Sequence, residues 1–459
     1  NGEVLDRLRF DGLPIKPTTG RPIPDWLRNG TGMGLFLHWG LDGWHLLNGG
    51  SPEKRDQVLA KFIKEFTASD YDPDKWMAPA KAAGFEYSVL TTRHMAGFQL
   101  WPSKSEPVGG WGVTKHLDGR DLVNPWVDAC RKHDVKVGFY YIPANLMWKS
   151  KEFPYAGYPR RNNYVRKVNF IEGYKEKKEE IQKVMDTWQE QDVFVGVEEL
   201  MTRYGTVDYM WFDGFYWPRG IGLDLQSDRM KEMILGHQPE ILLNPRYNCW
   251  GEAAKFGDLA TAEGRFPTMR PAGPWEFCWC IRGGWFAGGK GKDTSDGTPA
   301  VTVLAVLAKC RSWDGYSLPD VGPFRDGTMP DYYYGLCEEL AEWMDKNKES
   351  LVGVKGGPWP ELVNVPVTRK DKGKTWYLFA WPQNDEGEFL NPRKGKMGKY
   401  DYTPEAKVVT VRNVSNPPAK TTILATGEKI DYKLDAGTMT FVIPKAIASS
   451  NLDVIKVEW

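Results

Sequence analysis

An alternation of two textures constrains this chain more than any single motif. Over roughly the first 350 residues, eight short apolar runs of strand length recur, and helix-like runs separate many of them. The strand candidates are GMGLFLHWG (32–40), FEYSVLTTRH (85–94), VKVGFYYIP (135–143), VDYMWFDG (207–214), ILLNPR (241–246), GDLATAE (257–263), WEFCWCI (275–281) and GYSLPDVGP (315–323). Helical spacing marks 53–66, 74–84, 120–133, a charged stretch over roughly 160–204, 228–237, 298–313 and 332–349. Strands that alternate with helices argue for parallel βαβ units. Eight of them predict a closed (β/α)8 TIM-like barrel rather than an open sheet.

The texture changes beyond about residue 355. TWYLFAWP, AKVVTVRNV, TTILATG and GTMTFVIP are short β-rich runs set between Gly, Pro, Asn and Asp. They predict a small antiparallel β-sandwich. We therefore expect a catalytic barrel over 1–352 and a C-terminal sandwich over 353–459, a division that suits a chain of 459 residues.

Charge narrows the partners. Lys+Arg and Asp+Glu are both 60, so nothing points to nucleic acid or an anionic membrane surface. No apolar run reaches the ~18 residues of a membrane span. The six cysteines are scattered, with only Cys278 and Cys280 close together, which argues for buried thiols rather than a zinc ribbon. Aromatic residues make up 13% of the chain, with 21 Trp. Trp offers a flat apolar face and one N–H donor, which suits either a large aromatic core or a sugar, whose C–H faces carry a hydroxyl rim.

In such a barrel the active site lies at the C-terminal ends of the strands. Those ends carry His38 and Trp39, Arg93 and His94, Tyr140 and Tyr141, Trp211 and Asp213, Asn244 and Arg246, and Glu263, with Arg282 and Trp285 after the seventh strand. Neither His belongs to a metal-binding motif, and no phosphate-cradling Gly loop follows a strand, so we expect no metal and no cofactor. Two carboxylates facing each other among aromatics is the arrangement of a glycosidase. Each residue also has a plainer reading. Asp213, just before a Gly, could be a turn residue or helix cap; Glu263 could be a cap or an ion-pair partner. His38 could be a satisfied core His, and Arg246 could serve only to neutralise a carboxylate.

These motifs resemble glycoside hydrolase family 29, the α-L-fucosidases, along nearly the whole chain. MGLFLHWG, YSVLTTRHMAGFQLWPSK, GRDLV, VKVGFYY, VDYMWFDG, TAE and VGPFRDGTMP follow one another in the family's order. The resemblance implies a retaining exo-acting enzyme on an oligosaccharide or polysaccharide. Asp213 would be its nucleophile and Glu263 its acid/base, with Glu276 the next choice of acid. It implies that His38, His94, Tyr140, Trp211 and Arg246 hold the sugar or orient the nucleophile, and that Trp285 lies against the C5 substituent. Trp39 joins the substrate-binding set from its place beside His38. Met95 stands where the family has a second His, so a hydrogen bond to the sugar is replaced there. The glycone is then α-L-fucose or a close relative such as α-L-galactose, and the rival expectation is a non-catalytic sugar-binding relative. The resemblance and the processed look of the N-terminus suggest a secreted or periplasmic protein.

Overall fold

The computed structural model describes residues 19–41, 52–105, 112–145, 178–214, 223–248, 256–264, 266–267, 269–281, 284–287, 299–381 and 406–459. Residues 160–177 of the expected charged helix, Arg282, Cys249, and Phe215 and Trp217 of the aromatic run after Asp213 lie outside them.

All eight expected strands form: β1 (Gly34–Leu37), β2 (Tyr87–Arg93), β3 (Lys136–Tyr141), β4 (Tyr209–Phe212), β5 (Leu242–Leu243), β6 (Ala260–Glu263), β7 (Trp275–Cys280) and β8 (Tyr316–Asp320). They make one parallel sheet in the order β5-β4-β3-β2-β1-β8-β7-β6, curled so that β1 pairs with β8. Strands β5 and β6 are its two edges, and Asp258 bridges the seam between them. Its backbone N–H donates to the Leu243 carbonyl at 2.8 Å, and its carboxylate accepts the Leu243 N–H at 2.9 Å. The helices expected from sequence pack outside, among them Pro73–Ala82, Val123–Lys132, Ser227–His237, Ala300–Ser312 and Asp331–Asn347. No described helix is long and apolar enough to cross a membrane.

Period-two alternation sorts the strand side chains into two populations. Leu35, Leu37, Met210, Phe212, Phe277 and Trp279 belong to the large core shared with the helices. Phe36, Tyr87, Val89, Tyr140, Tyr209, Trp211, Cys278, Tyr316 and Leu318 fill the barrel lumen. The lumen is a packed second core, so only residues above its top layer can meet a ligand.

The C-terminal region is an antiparallel sandwich, matching the expected class. One sheet has the order β13-β16-β11-β10-β9 and the other β12-β15-β14. These strands are β9 (Lys355–Gly356), β10 (Val367–Lys370), β11 (Thr375–Ala380), β12 (Lys407–Val411), β13 (Lys420–Ile423), β14 (Tyr432–Asp435), β15 (Thr438–Ile443) and β16 (Asp453–Glu458). Val367, Leu378, Ile455 and Val457 meet Val409, Val411, Met439 and Phe441 between the sheets. Four of these strands match the runs read from sequence. Strand β14 was not among them, because most of its side chains are exposed. It exists because Ala436 (φ 46°) and Gly437 (φ 77°) both take positive φ, the two-residue hairpin turn that folds it onto β15. Bonds such as Trp343 Nε1 to the Leu452 carbonyl (2.6 Å) tie the sandwich to the barrel.

Candidate active site

The strand ends bring the chemistry together. On β4, Tyr209 and Trp211 point into the lumen, so Asp213 follows them inward, one layer higher. Gly214 is required after it. Its φ is +69°, and a Cβ there would come within 2.6 Å of Ile142 Cδ1. Asn244 clamps the end of β4 from beyond the very short β5: its Oδ1 accepts the Phe212 N–H (2.8 Å) and its Nδ2 donates to the Phe212 carbonyl (2.9 Å). The same segment then presents Arg246.

Arg246 joins the two carboxylates. Its Nη1 donates to Asp213 Oδ1 at 3.3 Å and to Glu263 Oε2 at 2.6 Å. These two oxygens are therefore no farther apart than the sum of those distances, about 5.9 Å. The guanidinium is wholly buried, whereas Asp213 and Glu263 keep 22% and 24% of their side-chain surface open. The Tyr140 hydroxyl donates to the other Asp213 oxygen at 3.2 Å. Burial raises the Asp213 pKa above its ordinary 3.8; the Arg246 charge opposes this and the nearby Glu263 adds to it. Arg246 stays charged, lying 4.8 Å over the Trp211 ring. Trp211 in turn stacks on Tyr140 at 5.3 Å and 17°.

A second pair stands across the mouth. His38 Nδ1 lies 2.6 Å from Asp320 Oδ1, both side chains being buried. Burial holds the Asp320 carboxyl well above the ordinary carboxylate range, and the His38 backbone N–H opposes that shift. Nδ1 is committed to Asp320, so any contact of this ring with a sugar hydroxyl must go through Nε2. Around His38 stand Tyr140 (5.4 Å), Trp285 (4.9 Å) and Phe286 (5.2 Å), and His94 stacks on Tyr140 at 5.8 Å. The result is a cup with a carboxylate pair on one side and an aromatic and imidazole wall on the other.

The family model described as alpha-L-fucosidase matches residues 52–349, well over half of the chain. The chain belongs to the alpha-L-fucosidase family. It is thereby a glycoside hydrolase. It is 27% identical to the tissue alpha-L-fucosidase of Homo sapiens over 409 residues, which is 79% of this chain and 77% of that one. The tissue alpha-L-fucosidase of Macaca fascicularis is similar at 27% over 403 residues, 79% and 77% of the two chains. Among solved structures, alpha-L-fucosidase isoenzyme 1 from Paenibacillus thiaminolyticus superposes with TM-score 0.70 at 23% identity, covering 94% of this chain and 97% of that one. A family 29 alpha-L-fucosidase from Bacteroides thetaiotaomicron, described as a trapped covalent intermediate with 2-fluoro-fucosyl fluoride, gives 0.69 at 20%, covering 97% and 99%. These likenesses establish the barrel-and-sandwich fold.

At this candidate site the structure brings Asp213, Glu263, Arg246, Tyr140, Trp211, His38, His94 and Trp285 together. Trp39 is not among them. It is one residue out of phase with His38, so its ring turns outward among Phe66, Tyr71 and Trp76, and its N–H donates to the Phe324 carbonyl. Met95 is 2% exposed and packs with the lumen core. Glu276, the reserve acid, is fully buried beneath Trp211 and does not open onto the cup. Asp320 and Phe286 are not among the residues expected from the sequence. Asp320 was legible: it is in phase with the lumen residues Tyr316 and Leu318 and ends its strand. Phe286 had no signal beyond its place next to Trp285. Among the described residues no group of three or more His, Cys, Asp or Glu could hold a metal ion.

Proposed function

We propose that this chain is a retaining, exo-acting α-L-glycosidase that removes terminal α-L-fucose, or a close relative such as α-L-galactose, from a glycan. The shared contact of Arg246 Nη1 with both carboxylates carries this reading. It keeps their facing oxygens within about 5.9 Å. Double displacement requires carboxyl groups about 5–5.5 Å apart, whereas inversion needs about 6.5–9.5 Å to seat a water between them. In the first step an Asp213 oxygen bonds to the anomeric carbon as the glycosidic C–O bond breaks, and Glu263 gives its proton to the departing oxygen. In the second, Glu263 takes a proton from water, the hydroxyl attacks the anomeric carbon, and Asp213 leaves. Arg246 offsets charge on both partners throughout, and Tyr140 orients Asp213. The covalent intermediate named for the Bacteroides neighbour is consistent with this course.

Wild-type enzyme should release 4-nitrophenol from its α-L-fucoside, and proton NMR should find the α anomer of the free sugar first. Initial formation of the β anomer would exclude retention. The Trp285–Phe286 wall is apolar, and an apolar wall rejects an added hydroxyl only about 100-fold. The α-L-galactoside therefore belongs in the same assay, where the ratio of kcat/KM values ranks the two glycones.

Two substitutions test the assigned roles. Glu263→Ala should cost about 100-fold or more on natural glycosides, whose leaving groups need a proton, and far less on aryl fucosides. Equal losses on both substrate types would remove Glu263 from the acid role. Asp320→Asn keeps the shape of the His38 contact but removes the ionisable carboxyl. It should lower kcat/KM about 10- to 100-fold, the usual scale for the carboxylate partner of a functional His. It should leave the thermal midpoint little changed, since burial already favours the neutral form of Asp320 and Asn fills the same space. Unchanged kcat/KM would mean that His38 needs no orienting partner.

A further inference from the structure

The geometry assigns Glu276 as a positioning residue that holds the Trp211 indole, and through it Tyr140 and Arg246, in register with the reacting carboxylates. The inference rests on the roles proposed for Asp213 and Glu263 and adds a buried support beneath them.

Glu276 lies on β7 and points into the lumen, four residues below the end of its strand. It has no exposed surface. Three neutral donors converge on its carboxylate: the Tyr87 hydroxyl on Oε2 at 3.0 Å, and the Tyr209 hydroxyl and Trp211 Nε1 on Oε1 at 3.1 and 2.9 Å. Each of them stabilises the ionised form against the cost of burial. A carboxylate roofed by the Trp211 ring cannot protonate a glycosidic oxygen, which is why the acid role falls away.

The connection upward is direct. An indole has a single N–H, and burying it without an acceptor is costly. Oε1 therefore selects one orientation of the Trp211 ring. That ring stacks on Tyr140, whose hydroxyl holds Asp213, and it lies under the guanidinium that touches both carboxylates. A ring turned away from Oε1 would move both supports of the nucleophile together. Misplacement of about 1 Å costs on the order of 100-fold in rate.

The test is a double-mutant cycle on kcat for 4-nitrophenyl α-L-fucoside, with Glu276→Gln, Trp211→Phe and the pair. Glu276→Gln keeps the volume and an acceptor oxygen but removes the charge. Trp211→Phe keeps an aromatic ring and removes the N–H. Each single change should lower kcat about 10- to 100-fold with KM changed less, and the pair should lose no more than the worse single, because both weaken the same link: Gln holds the indole N–H without the charge that strengthens this hydrogen bond, and Phe has no N–H to offer. Losses that multiply, or a Glu276→Gln enzyme with wild-type kcat, would overturn the assignment. Sodium azide adds a separate arm. It should restore turnover of the aryl fucoside to Glu263→Ala, where it replaces the missing base, and not to Glu276→Gln. Rescue of Glu276→Gln would make Glu276 the acid/base and overturn the proposal. Glu263→Ala that is not rescued would sink the underlying reading and take this one with it. Should Glu276→Gln not fold, Trp211→Phe decides alone: unchanged kcat in a folded enzyme refutes the link.

Discussion

Asp213→Ala should lower kcat for an aryl α-L-fucoside by about 10⁴-fold or more, the scale on which removing a nucleophile acts. The loss is this large because no other carboxylate among the described residues can replace it. Glu263 sits on the far side of Arg246 Nη1, and Glu276 is closed beneath Trp211. Azide should enter the vacated face and give the β-fucosyl azide, an outcome visible by NMR. A variant within tenfold of wild type would dismiss Asp213 as nucleophile. The wild-type pH profile carries the same message. As the proposed nucleophile Asp213 must be ionised to attack, and burial raises its pKa above the ordinary 3.8, so the acid limb of kcat/KM should lie above that value. Activity is lost as pH falls through it.

The second large effect is expected of Arg246→Met, which keeps much of the length and removes the cation. Two carboxylates would then face each other with no charge between them. Losing a preorganised charged donor at the reacting centre should cost about 10²- to 10³-fold in kcat/KM. Without the guanidinium, Asp213 should hold its proton to higher pH, so the acid limb should move upward. The sign for stability follows. A carboxylate whose folded pKa lies above its unfolded value destabilises the fold once pH exceeds the unfolded value, and that cost disappears as pH falls. The gap in thermal midpoint between Arg246→Met and wild type should therefore be widest near pH 7 and should narrow toward pH 4. An acid limb that stays in place would show that Arg246 does not set the Asp213 charge.

Much of the fold was legible because hydrophobic period reports secondary structure locally. The eight runs were read as strands, and eight parallel strands form. The converging site residues were legible by the same logic, since a barrel collects what its strands end in. Trp39 and His38 are neighbours in sequence, and a pleated strand sends neighbours to opposite faces. Glu276 and Glu263 share the inward face but not the height. Asp320 meets every local criterion, but its value lies in a 2.6 Å contact with a residue 282 positions away.

By itself, the sequence determined the alternation of strands and helices, the β-rich tail, and which residue types end each strand, because backbone sterics and burial act within a few residues. Only the tertiary structure decided that one Arg246 nitrogen touches both carboxylates, that Asp320 takes His38, and that Glu276 lies under Trp211. Those relations depend on strand register and on layer height within the lumen. Register and height come from packing the whole barrel, and no short stretch of chain encodes them.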